Sequence, residues 1–155
     1  MASRYRHPLP LLIDEVLRTQ GRLLAATGEH AAEEGLAGAQ LLVLIAVVNA
    51  ERPPTVPQIG RSLGHTRQSV QRIADILLKR GLLACEENPD HKRSPLLVPT
   101  ASGRAVYDRA NKRSRSWITR ITAGIDEADL TAATITLRTL RNRLERDTAE
   151  RPIHN

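Results

Sequence analysis

Hydrophobic residues recur along most of the chain at intervals of three or four positions, which is the spacing of one face of an α-helix. The first such run extends from Leu9 to Leu24 and predicts an amphipathic helix. The segment TGEHAAEEGLAG then contains three glycines, so we expect it to interrupt the helical pattern. From Ala39 to Ala50 the chain is apolar nearly all round, which indicates a helix enclosed by others.

Capping signals predict two short helices joined by a tight turn. Thr55 and Gln58 have the spacing of a capping box at the start of the first helix. Gly64 stands at its end, where a left-handed residue is favoured. Thr66 can cap the second helix, which we expect to cover 67–80 and to end at a glycine.

A hairpin and two longer helices are predicted for the rest of the chain. LLACEE and PLLVP are short extended runs on either side of NPDHKRS, whose Asn-Pro-Asp cluster is a turn signal. Thr100 can cap a long helix that ends at Gly124, and Asp126 can cap the last helix. The last helix carries a seam for packing along another helix, in the same chain or in a second copy: Leu130, Ala133, Leu137, Leu140 and Leu144. The fold class is therefore mainly α with a small β-hairpin, an α+β fold.

Composition supports a helical core and a polyanionic partner. The 155 residues include no Phe, one Trp and two Tyr, so Leu, Ile, Val and Ala must fill the core. The formal net charge is +6, which raises the expectation of nucleic-acid binding. Cys85 is the single cysteine, so no intramolecular disulfide forms and a reducing, cytoplasmic setting is expected. The N-terminal segment lacks the apolar core of a signal peptide, and no apolar run is long enough to span a membrane.

The helix predicted at 67–80 separates its apolar and polar side chains. At 100° per residue one face carries Val70, Ile73, Ala74, Leu77 and Leu78. Within an arc of about 140° the other face carries Arg67, Gln68, Gln71, Arg72 and Asp75. Arg can hydrogen-bond guanine O6 and N7, Gln can pair with adenine N6 and N7, and small hydroxyl groups such as those of Thr66 and Ser69 can reach phosphate. The face therefore has the groups that reading the major groove requires, although a merely solvated helix face would have the same pattern.

The tip of the predicted hairpin is basic. His91, Lys92 and Arg93 follow Asp90 on an exposed loop, where an arginine can enter the negative potential of a narrow minor groove. Asp90 can brace Arg93 by an ion pair, or can serve only the turn. His65, in the turn before Thr66, either touches the DNA backbone or packs within the turn.

These segments together resemble the MarR family of winged helix-turn-helix regulators. LAGAQLLVLIAV, PTVPQIGRSLGHTRQSVQRIADILLKRGLL, NPDHKRS and VPTASGRAV follow the family pattern in order and spacing between Leu36 and Val106. The resemblance implies one domain over 1–155, with a winged helix-turn-helix lobe at 37–100 and a helical dimerisation lobe at 8–30 and 101–148. It also implies a homodimer that acts on a pseudo-palindromic operator, usually as a repressor released by a small molecule. An effector pocket would rely on aliphatic side chains, Tyr107 and Trp117.

The residues expected to face DNA follow from the polar helix face and from this resemblance. They are Thr55, His65, Thr66, Arg67, Gln68, Ser69, Gln71, Arg72, Asp90, His91, Lys92 and Arg93. The resemblance places those of the second short helix in the major groove, and it places Arg93, positioned by Asp90, in the minor groove.

Other classes of function have weaker support. Cys85 could make the protein a thiol-based redox sensor, but the two glutamates that follow it disfavour a thiolate. The five histidines show no pair at the spacing typical of zinc ligands, so we expect no metal and no cofactor. No motif of a hydrolase or a phosphate-binding loop occurs, so we do not expect an enzyme. A winged helix that binds protein or RNA stays an alternative.

Overall fold

Six helices and one pair of antiparallel strands make up the fold of residues 7–150. The computed structural model describes residues 7–150 of the chain. The elements are α1 (Leu9–Glu33), α2 (Gly38–Val48), α3 (Val56–Leu63), α4 (Arg67–Lys79), β1 (Leu83–Glu86), β2 (Leu96–Pro99), α5 (Ala101–Ile121) and α6 (Glu127–Glu150). The predicted fold class, mainly helical with a small hairpin, is confirmed.

The core is aliphatic and is centred on α2 and α4. The largest fully buried side chains come from these two helices and from β2: Val43, Leu44, Val70, Leu77 and Leu97. Removing such a side chain from water contributes roughly 1.5–3 kcal/mol. Burial of its apolar face therefore fixes α4 in the molecule, and the opposite face is left free for function.

Local signals set the ends of α3 and α4 as the sequence predicts. The Thr55 hydroxyl accepts a hydrogen bond from the Gln58 amide at 3.4 Å, and the Thr55 amide donates to Gln58 Oε1 at 2.8 Å. Gly64 ends α3 with a φ of +68°. Thr66 Oγ1 accepts from the Ser69 amide at 3.2 Å and caps α4. Both capped ends are confirmed, and together they fix the tight turn that presents α4.

The hairpin is tied to the helices at its base. Leu83 pairs with Pro99 and Glu86 pairs with Leu96 in an antiparallel register. The Leu97 amide donates to the Pro54 carbonyl at 2.8 Å, so the segment before α3 lies along the outer side of β2. Thr100 caps α5 and also donates to the Gly81 carbonyl at 2.6 Å. These bonds hold the hairpin in a fixed position relative to α3 and α5.

The expected interruption of the helical pattern within TGEHAAEEGLAG is confirmed, but it comes late in the segment and not at its first glycine. Helix α1 continues through Gly28 to Glu33, and the chain turns only at Gly35, where φ is +66°. A Cβ at Gly38 would lie 3.2 Å from the Gly28 Cα, so the two glycines allow α1 and α2 to approach closely. Close packing, rather than a helix break, accounts for the glycine at position 28.

Much of the surface of α1 and α6 is not covered by any other part of residues 7–150. Large apolar side chains on these helices are exposed, with Leu17 62% exposed and Leu144 65% exposed. The leucine seam predicted on the last helix is therefore only partly covered by the described residues of its own chain. In the described part of the chain no single helix is both long and apolar enough to cross a membrane. Taken together, α1 and α2 have the length and the apolar composition of a membrane-crossing segment. The chain is bent by 91° at the break between them.

Candidate nucleic-acid interface

The polar face of α4 lies on the surface. Four of its side chains are exposed: Arg67, Gln68, Gln71 and Arg72. Ser69 is half-buried beneath them, and the opposite face is buried, with Val70, Ala74 and Leu77 fully enclosed. A rigid helix therefore presents two guanidinium groups and two carboxamides outward while its aliphatic side chains anchor it from behind.

Asp75 belongs to this face although the sequence did not identify it as a functional residue. Gln71 Nε2 donates a hydrogen bond to Asp75 Oδ1 at 2.8 Å, one helical turn further on. Both side chains are exposed. The i, i+4 spacing of an amide and a carboxylate is the signal that could have found this pair.

The turn before α4 brings further predicted residues to the same surface, with one exception. His65 and Thr66 are exposed at the N-terminus of α4, where unpaired amides favour an anion. Thr55 does not lie open in this way, because it is only 8% exposed and its hydroxyl is engaged in the cap of α3. We therefore assign Thr55 to the placement of α3 and leave it out of the proposed DNA-contacting set.

The loop between the strands, which we call the wing, is organised by Asn88. Asn88 is 9% exposed, and its Nδ2 donates to the Ser94 carbonyl at 2.9 Å. Its Oδ1 accepts from the Asp90 amide at 3.1 Å, and its own carbonyl accepts from the His91 amide at 3.3 Å. A single buried amide side chain therefore closes the loop across six residues. The Asn-Pro-Asp turn signal in the sequence indicates the turn but not this role.

The basic side chains of the wing tip are exposed together. Asp90, His91, Lys92 and Arg93 all lie at the surface. Within residues 7–150 the structure contains no ion pair between Asp90 and Arg93, so the bracing contact expected from the sequence is absent. Asp90 instead takes part in the loop through its backbone amide.

A buried carboxylate connects the first helix to α5. Glu34 has a side chain that is 4% exposed, and Arg109 Nη2 donates to it at 2.8 Å. Arg113 forms a second ion pair with the same carboxylate. The hydrogen bond from Arg109 is the main reason that the pKa of Glu34 lies below its ordinary value, and burial opposes it. The neighbouring Gly35 carbonyl accepts from Arg80 Nη1 at 2.6 Å, at the C-terminal end of α4. The turn after α1 thus contacts both α5 and α4.

A small cavity lies beside this ion-pair cluster, between α1, α2 and α5. Its volume is about 170 Å³, and its walls are largely apolar. Its lining includes Thr27, His30, Leu41, Ile45, Tyr107, Ala110, Asn111, Ser114, Trp117 and Ile118. The His30 and Trp117 rings meet edge to face with centroids 6.0 Å apart. The two aromatic residues expected at an effector pocket, Tyr107 and Trp117, therefore line one cavity.

A longer apolar groove runs between α1 and α6. It is lined by Leu9, Leu12, Ile13, Val16, Leu17, Thr134, Leu137, Arg138, Leu140, Arg141 and Leu144. Leu137, Leu140 and Leu144 are members of the seam predicted from the sequence. An open groove of this composition is typical of a surface that is covered by another chain.

The remaining candidate features are the single cysteine and possible metal ligands. Cys85 is exposed on β1, beside Glu86 and Glu87. In residues 7–150 no group of three His, Cys, Asp or Glu side chains could hold a metal ion.

Comparison with known proteins gives relatives in sequence and in fold. A sequence model described as MarR family matches residues 34–94. A protein of Mycobacterium tuberculosis whose function is uncharacterised is 41% identical over 142 residues, which cover 91% of this chain and 95% of that protein. The same identity and coverage hold for an uncharacterised protein of Mycobacterium bovis.

Solved structures that share the fold are more distant in sequence. A MarR-family transcriptional regulator from Rhodococcus sp. RHA1 matches with a TM-score of 0.71 and 20% identity, over 88% of this chain and 96% of that one. CouR from Rhodococcus jostii RHA1, bound to p-coumaroyl-CoA, matches with a TM-score of 0.68 and 21% identity, over 81% and 88%. Staphylococcus aureus MarR in complex with salicylate and kanamycin has a TM-score of 0.68 and 14% identity, over 92% and 96%.

Proposed function

Because the chain belongs to the MarR family of winged helix-turn-helix transcriptional regulators, we propose that it binds double-stranded DNA sequence-specifically as a homodimer. Its operator is pseudo-palindromic, and binding represses transcription until a small molecule releases the protein. The observation that carries this proposal is the exposed polar face of α4 over a fully buried aliphatic face. A helix presented in this way fits the major groove.

The wing gives the second DNA contact of each subunit. Lys92 and Arg93 are exposed at the tip of a loop that Asn88 holds closed. A guanidinium group at such a tip favours the minor groove of A·T-rich sequence, where the negative potential is strong. This contact responds to groove width more than to base identity, so Arg93 adds affinity over many sequences.

The apolar groove between α1 and α6 supports the homodimer. A second copy that covers the groove would remove exposed leucines such as Leu17 and Leu144 from water. The dimer would carry a formal charge of 2 × (+6) = +12. Two copies of α4 related by a two-fold axis read half-sites about 10 base pairs apart, or a multiple of that distance.

The cavity beside Trp117 supports binding of a small effector. A cavity of about 150 Å³ can hold one aromatic ring, and the cavity here measures about 170 Å³. We therefore expect an effector with a single ring, similar in size to the salicylate bound by the Staphylococcus aureus relative. The p-coumaroyl-CoA bound by CouR is too large to be enclosed here.

Binding to the DNA upstream of the protein's own coding region tests the proposal. We expect a gel shift that weakens as salt is added. The logarithm of the binding constant should fall linearly with the logarithm of the salt concentration, with a slope of roughly −0.9 for each phosphate neutralised. Arg67→Ala or Gln71→Ala should weaken specific binding by about 1–3 kcal/mol, because each side chain reads a base edge. Arg93→Ala should weaken binding more evenly across sequences.

Arg120→Ala on α5 is the charge-matched control, and we expect it to retain sequence preference. Equal losses for Arg67→Ala and Arg93→Ala on random DNA would contradict the division between base reading and backbone binding. Failure of the wild-type protein to shift duplex DNA at low salt, with retained binding to an RNA or protein partner, would contradict the DNA-binding proposal.

Effector binding is tested through Trp117, the single tryptophan of the chain. Because this indole lines the cavity, titration with salicylate should change its fluorescence. The same concentration range should weaken the gel shift. Ala110→Leu, which adds volume to a wall of the cavity, should abolish the fluorescence change. An unchanged response in that variant would place the ligand elsewhere.

A further inference from the structure

We propose that Asp75 determines base preference by orienting the Gln71 amide so that Gln71 reads adenine rather than guanine. This inference rests on the proposed function, because it assumes that α4 enters the major groove. Asp75 acts as a positioning residue, and it exerts its effect through Gln71 without contacting a base.

The contact between the two side chains fixes which end of the amide faces which way. Gln71 Nε2 lies 2.8 Å from Asp75 Oδ1. An ionised carboxylate accepts hydrogen bonds and cannot donate them, so the NH₂ end of Gln71 must face Asp75. The flipped amide would place the carbonyl oxygen of Gln71 against a carboxylate oxygen, where two acceptors repel each other.

The remaining hydrogen-bonding groups of Gln71 match one base. With one N–H donated to Asp75, the amide retains one N–H donor and its carbonyl acceptor. Adenine presents the complementary pair in the major groove, an N7 acceptor and an N6–H donor. Guanine presents two acceptors there, N7 and O6, and so could take only the single N–H.

The charge on Asp75 supports a positioning role. A carboxylate on a DNA-facing surface is repelled by phosphates and lowers affinity for every sequence. Arg72 lies three residues earlier on the same helix, yet in the described part of the chain Asp75 forms no ion pair with it. The Asp75 carboxylate is therefore paired with the Gln71 amide, and Arg72 stays available to DNA.

Selection from a pool of random duplex DNA tests this inference. The wild-type protein, Gln71→Ala and Asp75→Asn are each used to enrich bound sequences, and the base frequencies are compared. The position at which Gln71→Ala loses preference identifies the base pair read by Gln71. We expect adenine there in the wild type, favoured over guanine by about tenfold or more.

Asp75→Asn keeps the size of the side chain but can donate as well as accept, so it permits both orientations of Gln71. We expect the preference for adenine over guanine to fall to about threefold or less at that position, and to persist at all others. In the double variant Gln71→Ala/Asp75→Asn, base preference at that position should equal that of Gln71→Ala alone, because Asp75 acts through Gln71.

Glu87→Gln removes a charge of the same sign from the hairpin and is the matched control. We expect it to raise the affinity for every sequence by the same factor and to leave the adenine preference unchanged. An Asp75→Asn protein with the wild-type preference, or a wild type that selects another base at the Gln71 position, overturns this inference alone. A wild type that enriches no sequence overturns the proposed function as well.

Discussion

Glu34 makes folding stability depend on pH in a defined direction. The hydrogen bond from Arg109 lowers the pKa of Glu34 in the folded chain below its ordinary value of 4.5. A group with a lowered folded pKa contributes stability that is fully present above its unfolded pKa. That stability is lost as the pH falls through the folded pKa, so the effect appears below about pH 4.5.

We expect Glu34→Gln to lower the melting temperature at pH 7 and to flatten its decline on acidification. Gln keeps the shape of the side chain but cannot pair ionically with Arg109 and Arg113. Thermal unfolding measured from pH 7 down to pH 3 checks this. Glu29→Gln, at an exposed position on α1, is the control and should follow the wild type. If the melting temperature fell with pH equally steeply in Glu34→Gln and in the wild type, the ion pairs of Glu34 would not contribute to acid sensitivity.

At the scale of elements, the wing depends on an interior residue that does not reach its tip. Asn88→Ala removes the hydrogen bonds to the Ser94 carbonyl and from the Asp90 amide. Each such hydrogen bond contributes about 0.5–1.5 kcal/mol. We expect the loop to lose its shape, and the affinity for duplex DNA to fall about as far as in Arg93→Ala.

Fluorescence anisotropy with a labelled duplex, together with thermal unfolding, measures both effects of Asn88→Ala. Glu87→Ala, at the exposed neighbouring position, should keep the fold and should not weaken DNA binding. Full affinity in Asn88→Ala would mean that the wing needs no fixed shape for its contact.

The sequence predicts those elements whose signals are local. Thr66 and Gly64 act within one or two turns of their own positions, so the ends of α3 and α4 could be predicted. Which glycine of TGEHAAEEGLAG ends α1 could not be predicted, because Gly28 is explained by Gly38 on another helix rather than by its own neighbours. In the sequence, a glycine that ends a helix looks the same as a glycine that allows two helices to pack closely.

In the candidate site, too, only the features with local sequence signals could be predicted. The exposed face of α4 follows from helical periodicity, which requires only the positions of Val70, Ala74 and Leu77. The contact of Glu34 with Arg109 joins residues 75 positions apart, and no local pattern indicates it. The pairing of Gln71 with Asp75 is local, but the sequence alone does not show whether the carboxylate pairs with Gln71 or with Arg72.

At the scale of the whole molecule, the open groove between α1 and α6 predicts the assembly state. Leu17→Glu or Leu144→Glu places a charge on a surface that the single chain leaves exposed, so the subunit should still fold. Burial of that charge in a dimer costs several kcal/mol. Sedimentation equilibrium should give about 2 × 17.1 = 34.2 kDa for the wild type and 17.1 kDa for the variants.

Ser102→Glu, an exposed position in the first turn of α5, is the control and should stay dimeric. Wild-type protein that sediments as a monomer at micromolar concentration would contradict the homodimer. Variants that remain dimeric would place the interface on another surface.

The hydrogen bond from Arg80 to the Gly35 carbonyl has a consequence for the geometry of the operator. It fastens the last turn of α4 to the connection between α1 and α2, so in the proposed dimer each α4 is held in register with the helices that would join the two subunits. One base pair inserted at the centre of the operator rotates one half-site by about 35° around the duplex axis. We expect the wild-type dimer to bind that operator much more weakly than the unaltered one. In an Arg80→Ala dimer the α4 helices are free to rotate, so we expect the inserted base pair to reduce its affinity much less.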